Sequence, residues 1–399
     1  MSELITLQIG QCGNQLGARY WQLALAEYGP RGVLYDQPLS TLFHNVDDRQ
    51  EIGSQMLACG TPIASLRARA VLVDMECGVL NQIARSNIGE LFDPEVQFVS
   101  DVSGSGNNWA VGYYQYGGLH GLAVEEAVRR QLETADRPQG LLFAHSAGGG
   151  TGSGLGTYIL EMLADSDPKL PRISTVVFPS IPDDVITSPY NALLATAKLI
   201  QHASCVLPVC NEALAKFSKD LTTPVARLWL DVTAGTRFGE ARRVGDTVAS
   251  LTEVRRTFLI PSLSPAGVVT KDLKLQARSF DALFSETNSF LKIAKLKPQF
   301  APKPRLGLFV RCKYSVSDVQ RSAARLAPSV LSVCPELPSW APFSVASLRN
   351  SAQVAPLFAD LLNAFDKLFA RRAHLHHYAI ERDEMLGARD RVLAQFREY

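Results

Sequence analysis

Gly148-Gly149-Gly150-Thr151-Gly152-Ser153-Gly154 joins an apolar run, Leu141 to Ala144, to a helical stretch around Tyr158 to Ala164. Glycines at such a junction let the backbone approach a ligand closely and adopt positive φ, so that successive amides converge on phosphate oxygens. The helix that follows adds partial positive charge at its N-terminus, and Thr151 and Ser153 add hydroxyl donors. No Gly-Lys-Ser/Thr closes the run, so it is not a Walker A loop. No register fits G-x-G-x-x-G either, which weighs against a dinucleotide-binding enzyme.

Working outward, short β-branched runs alternate with amphipathic segments, the pattern of a parallel sheet covered by helices. Leu4 to Ile9, Ala70 to Asp74, Val96 to Val99, Ser174 to Phe178 and Cys205 to Val209 read as strands. A helix with apolar positions Leu16, Tyr20, Leu23 and Ala24 follows the first and stops at Gly29-Pro30; another spans Tyr190 to Ala203. Each small-residue or polar loop follows the C-terminal end of a strand, the edge where open α/β sheets bind ligands.

Three more loops belong with the glycine run. Gly10-Gln11-Cys12-Gly13-Asn14-Gln15 offers amides that donate and accept together. Asp74 and Glu76 lie on one side of an extended segment, where a carboxylate pair beside phosphates holds Mg²⁺ through water; alone, Asp-x-Glu is weak evidence. Gly104-Ser105-Gly106-Asn107-Asn108-Trp109 again presents backbone amides and Asn donors.

Thr222-Thr223-Pro224 reads as a helix start, a hydroxyl cap with Pro at the first helical position, and the helix should run to about Ala234 and end at Gly235. KLKPQFAPKPRLG, residues 295–307, reads as a solvated loop. From about Ala352 the pattern is one long helix, including ADLLNAFDKLFARRAHLHHY, and then a second piece to Tyr399. His374 and His377 would share a face of that helix, with packing rather than metal binding as its purpose.

Bulk properties exclude several classes. The 399 residues suffice for two or three domains. Forty basic residues against 39 acidic ones give no general attraction to nucleic acid or membrane. Seven scattered cysteines without a C-x-x-C pair argue against a disulfide framework or zinc ribbon. The N-terminus lacks the features of a signal peptide and no apolar run reaches ~18 residues, so a soluble, cytoplasmic protein is expected.

GQCGNQ, GSGNNWA and GGGTGSG in this order resemble the tubulins, and the last is shared with their bacterial filament relatives. LFHNVDDR, LRARAVLVDMECGV, DVSGSGNNWAVG, DDVITSPYN and KLFARRAHLHHY look like epsilon-tubulin rather than the alpha or beta forms. The likeness is dense over residues 1–211, thin between about 235 and 345, and returns in the C-terminal helices. It implies an α/β fold: a parallel doubly wound nucleotide-binding sheet, a central helix, a smaller α/β intermediate domain and C-terminal helices. The corresponding divisions are 1–220, 221–235, 236–348 and 349–399.

The resemblance also implies GTP or GDP with Mg²⁺ as ligands. Gly10 and Gln11 would lie by the phosphates and Mg²⁺, Cys12 and Gln15 by the nucleoside, and Asp74 and Glu76 by the metal. Gly104, Ser105, Gly106 and Asn107 would touch the terminal phosphate. Ser146 and Gly148, Gly149, Gly150, Thr151, Gly152, Ser153 and Gly154 would wrap the phosphates. Asp184 matches a ribose contact and Asn211 a guanine-reading asparagine.

Departures from the pattern carry expectations of their own. Ser188 replaces a ribose-binding glutamate, so that contact is lost or moved to Asp183 or Asp184. Thr222 replaces a second guanine-reading asparagine, and a hydroxyl cannot make an amide's two-pronged hydrogen bond. The base-stacking tyrosine falls near Ser218, with Phe217 beside it. Hydrolysis in this family needs an acid from the next subunit; Asp246 is the candidate, and poor hydrolysis is expected. The chain ends at FREY without a Glu-rich tail, and the middle region is compressed. Both argue against a self-assembling bulk microtubule subunit, and the resemblance implies a centriole or basal-body tubulin supporting triplet microtubules. Its partners would be other tubulins, delta-tubulin first and alpha or beta next, and centriolar proteins. An assembly-coupled GTPase and a nucleotide-free interaction module are the alternatives.

Overall fold

The computed structural model describes residues 2–29, 34–47, 55–101, 103–180, 185–239, 242–265, 288–291, 304–313 and 315–399. Six parallel strands form the first sheet in the order β6-β5-β1-β7-β8-β9. They are β1 (Glu3–Ile9), β5 (Ala70–Asp74), β6 (Phe98–Ser100), β7 (Pro138–Ser146), β8 (Arg172–Phe178) and β9 (Cys205–Cys210). A period of two sorts their side chains onto two faces. Ile5, Leu7, Ile9, Val71 and Val73 join one core, and Leu4, Ala70 and Leu72 join the other. Helices cover both faces, so the sheet is doubly wound as expected. β1, flanked by β5 and β7, marks the reversal of strand order.

A small antiparallel sheet, β3-β2-β4, is built from β2 (Phe43–Asp47), β3 (Gln55–Leu57) and β4 (Ser65–Ala68). A five-stranded sheet, β11-β10-β14-β12-β13, follows the central helix. Its strands are β10 (Ile260–Ser264), β11 (Asn288–Ser289), β12 (Arg305–Arg311), β13 (Val330–Cys334) and β14 (Ser344–Asn350). All its pairings are antiparallel except β12 with β13. The two large sheets meet at β9, where Val206 N donates to Thr257 O and Leu259 N to Val206 O, each at 2.9 Å.

Four sequence expectations change in detail. The strand expected at Val96 to Val99 begins only at Phe98, because Asp93 and Pro94 start a helical turn, Pro94–Gln97, with the Asp93 carboxylate accepting from Glu95 N. The central helix, Thr222–Val232, is capped by Asp220 and not by a threonine hydroxyl: Oδ1 accepts from Thr222 N at 3.0 Å. It does not stop at Gly235 but continues through a further turn, Ala234–Arg237.

The third change is at the C-terminus. The helix Ala355–Ala370 ends well before Tyr378. Arg372 N bonds Phe369 O and Ala373 N reaches back to Leu368 O, with Arg372 at φ 52°: a Schellman stop. Arginine stands at the position where glycine usually signals this stop, so the sequence did not announce it. The chain then crosses as a strap to the last helix, Arg382–Glu398. His374 and His377 stack with ring centroids 5.9 Å apart. No group of three metal-ligating side chains occurs among the described residues. The fourth change is in the Lys- and Pro-rich stretch: residues 295–303 lie outside the described residues, but Arg305, Leu306 and Gly307 are not loop and open β12, with Leu306 buried.

Candidate functional site

The loops after β1, β5, β6, β7 and β9 surround one cavity of about 570 Å³. Its wall includes Gly10, Gln11, Cys12 and Gln15 from the first loop and helix, Asp74 and Glu76, and then Ser105, Gly106 and Asn107. Ser146, Gly149, Gly150, Thr151 and Gly152 follow, and Asn211 closes the far side from the end of β9. A volume of this size lies within the range of small-molecule sites.

Backbone contact between loops holds the cavity's shape. A Cβ on Gly150 would stand 2.2 Å from Ser105 Oγ and 2.5 Å from Asn108 N. A Cβ on Gly154 would meet Trp109 O at 2.2 Å. Both glycine-bearing loops run into π-helical turns, Val111–Tyr116 and Thr151–Leu155, and such turns recur at functional sites. Gly106 (φ 58°) and Asn107 (φ 54°) occupy left-handed backbone, costly for Asn107 and justified only by its surroundings. Asn14 Nδ2 donates to Gly10 O at 3.0 Å and Val73 O at 3.1 Å, fixing the first loop to β5.

The remaining sequence candidates sit just behind this wall. Gly104 backs onto Glu76, and a Cβ there would strike Oε1 at 2.0 Å. Gly148 O accepts from Asn191 Nδ2, Ser153 Oγ donates to Gly149 O, and Gly154 serves the contact with Trp109. Thr222 is not part of the wall; its hydroxyl donates to Asp220 Oδ1 at 2.7 Å. Phe217 is half-buried and stacks on Phe290 (centroids 6.0 Å), against the core. Asp183 and Asp184 lie outside the described residues.

Gly78, Val79 and Gln82 complete the wall, and sequence reasoning passed over them. They share one face of the helix Cys77–Ala84, which begins directly after Glu76. Helical spacing after an acidic loop was the available signal.

Asp74 and Glu76 are the wall's only acids, and no Lys or Arg joins it among the described residues. Asp74 is buried; Oδ1 accepts from Glu76 N at 3.3 Å, while buried Oδ2 has no protein partner. Burial raises its carboxyl to about 6. A buried carboxylate oxygen facing a cavity without cationic side chains suits a hydrated divalent ion. The Cys12 thiol is pushed up to about 11 by burial, so it is a neutral wall group and no nucleophile.

Asp246 is exposed on the first turn of the helix Val244–Leu251. Its neighbour Gly245 faces Pro171, at the start of β8. That is the opposite edge of the sheet from the cavity. Asp246 does not reach the cavity of its own chain.

Residues 3–219 match the Tubulin/FtsZ family, GTPase domain. The chain is similar to the tubulin epsilon chains of Mus musculus and Homo sapiens. Each is 35% identical over 433 residues, covering 95% of this chain and 90% of the relative. It is also similar to the tubulin beta-2 chain of Suillus bovinus, 32% identical over 423 residues with the same coverage.

Proposed function

The chain belongs to the Tubulin/FtsZ family, and from that membership as a GTP-binding tubulin we propose a structural role in centrioles or basal bodies. In this role it supports formation or stability of triplet microtubules and is not a subunit of the bulk polymer. The carrying observation is the convergence of loops from five parallel strands on one cavity, with glycines setting their separation. Such close backbone packing has a physical purpose when amides must converge on a polyphosphate.

In the proposed complex, the amides of Gly149 to Gly152 and of Ser105 to Asn107 hold the β- and γ-phosphates. Gln11, Asp74 and Glu76 hold Mg²⁺ through water, and the ion would neutralise phosphate charge. Cys12 and Gln15 flank the nucleoside, and Asn211 reads the guanine edge alone, because the Thr222 hydroxyl is committed to Asp220. Loss of one amide reader lowers base discrimination without abolishing it. We extend the proposal to a four-part division at 1–220, 221–235, 236–348 and 349–399, to a delta-type tubulin partner, and to a centriolar location within the cytoskeleton.

Mass spectrometry of nucleotide carried by the purified full chain tests this reading, together with thermal shift in GTP with and without Mg²⁺. Bound GTP or GDP and a Mg²⁺-dependent shift are expected. An empty protein that does not respond to GTP would sink it. Imaging against a centriole marker tests the location.

The assembly-coupled GTPase remains a second reading, favoured by one observation. Asp246 is exposed at the edge opposite the cavity, where a head-to-tail neighbour's pocket could meet it. Brisk turnover in a mixture with partner tubulin, abolished by Asp246→Asn, would select it.

A further inference from the structure

Asn191, in the first turn of the helix Ser188–His202, is fully buried and has every hydrogen-bonding position of its amide filled. Nδ2 donates to Asn107 O and to Gly148 O, both at 2.8 Å. Oδ1 accepts from Trp109 N at 2.9 Å and from Tyr378 Oη at 2.5 Å. Three of these bonds fix two cavity loops relative to each other. The fourth leaves the site and ends on the strap that joins the last two helices.

The strap has two further attachments to the same region. Asn108 Nδ2 donates to His377 O at 2.6 Å, and Tyr190 Oη donates to Ala373 O at 2.9 Å. Tyr190 and Asn191 are consecutive, so one helical turn grips both ends of the strap. The Tyr190 ring also packs edge-on against Tyr378, centroids 5.4 Å apart. Asn107, whose carbonyl rests on Asn191, is the non-glycine residue of the cavity wall held in left-handed backbone. A small displacement of that loop therefore disturbs a bond that the strap's anchor shares.

We infer that the strap, residues 371–378, is coupled to the terminal-phosphate end of the cavity, with Asn191 as the positioning residue and the Tyr378 hydroxyl as the link. This rests on the nucleotide reading above. A triphosphate drawing the Gly106–Asn107 turn inward holds the Asn107 carbonyl on Asn191, which keeps Oδ1 aimed at Tyr378. A diphosphate leaves that turn less constrained, and the strap loosens. Linkage makes the effect reciprocal: a partner that seats the strap favours the triphosphate. The strap carries Arg371 and Arg372, both exposed, so whatever seats it meets two guanidinium groups.

Hydrogen–deuterium exchange over residues 371–378 tests the coupling, using the full chain loaded with GDP or with a non-hydrolysable GTP analogue. Exchange about five-fold slower with the triphosphate is expected, at the low end of ordinary allosteric coupling. Tyr378→Phe should abolish that difference and reduce the preference for triphosphate over diphosphate by a similar factor. If the hydroxyl is merely structural, Tyr378→Phe lowers the melting temperature and leaves the affinity ratio unchanged, which overturns the inference. Equal strap exchange in both wild-type complexes overturns it too, while leaving the nucleotide reading intact. Absence of any nucleotide binding removes both. Should Tyr378→Phe not fold, Tyr190→Phe frees the strap at Ala373 and leaves the Tyr378–Asn191 link in place; strap exchange should then rise in both complexes with the nucleotide dependence kept, and loss of that dependence overturns the inference.

Discussion

Glu27 on the first helix and Arg311 at the end of β12, 284 positions apart, form an ion pair that excludes water from both side chains. Arg237 Nη1 takes the other Glu27 oxygen at 2.7 Å, and Arg311 Nη1 also lies 3.3 Å from Asp231 Oδ1 on the central helix. The cluster pins the nucleotide-binding sheet's first helix, the central helix and the second sheet at one point. Glu27→Ala leaves buried Arg237 without a carboxylate and Arg311 with Asp231 alone, and a loss of about 3–5 kcal/mol is expected in denaturant unfolding. A loss below about 1 kcal/mol would mean that water reaches the cluster.

Gly150→Ala should weaken GTP binding by at least roughly ten-fold, because its Cβ collides with backbone of the Ser105–Asn108 turn and must push it aside. Gly118→Ala, in the helix Gly117–Glu133 with nothing within 4 Å of the added carbon, is the control. It should leave binding unchanged and raise stability by about 0.5–1 kcal/mol. Isothermal titration and thermal melts of the two variants decide the matter.

Asn211→Ala should lower GTP affinity by roughly 10- to 100-fold and erode discrimination against ATP, since a lost amide removes up to two hydrogen bonds. Thr222→Ala should change nucleotide affinity less than about two-fold and cost about 0.5–1 kcal/mol of stability, the worth of one hydrogen bond to Asp220. A larger effect of Thr222 than of Asn211 on base selectivity would reverse this assignment.

His145, buried on β7 beside the glycine run, is held neutral, with burial lowering its pKa from 6.5 to about 4. The unfolded chain takes up a proton near 6.5 and the folded one only near 4. Stability from this group is therefore complete above 6.5 and disappears as pH falls through 4. The wild type should lose on the order of 3 kcal/mol across that window relative to His145→Gln. Urea titrations from pH 4 to 7 read the difference, and parallel slopes would refute it.

The parallel sheet was legible because its strands carry short apolar runs, β-branched in β1, β5, β8 and β9 and Leu-Leu-Phe-Ala in β7, and the ligand edge was legible because glycines cluster where backbones touch. Contacts between distant parts were not. Nothing near Asn191 in sequence reveals that its amide joins Asn107, Gly148 and Tyr378. Helix ends were misread where Arg372 took the place glycine usually holds in a Schellman stop, and where Asp220, two residues upstream, supplied the cap expected of a threonine. Gly78, Val79 and Gln82 escaped because a cavity wall supplied by one face of a short helix has no composition of its own.

The position of β1 governs how the molecule can assemble as it leaves the ribosome. Its two neighbours are β5, paired from Thr6 to Ala70, and β7, paired from Leu4 to Gly140. β1 must wait for β7 to be made before both its edges are covered, and Glu27 waits for Arg237 and then Arg311. Non-local pairing of this kind folds slowly. Until β7 emerges the chain exposes an open strand edge, and until Arg237 emerges Glu27 lacks its first cation, so the growing chain must be kept from pairing with its own kind over that interval.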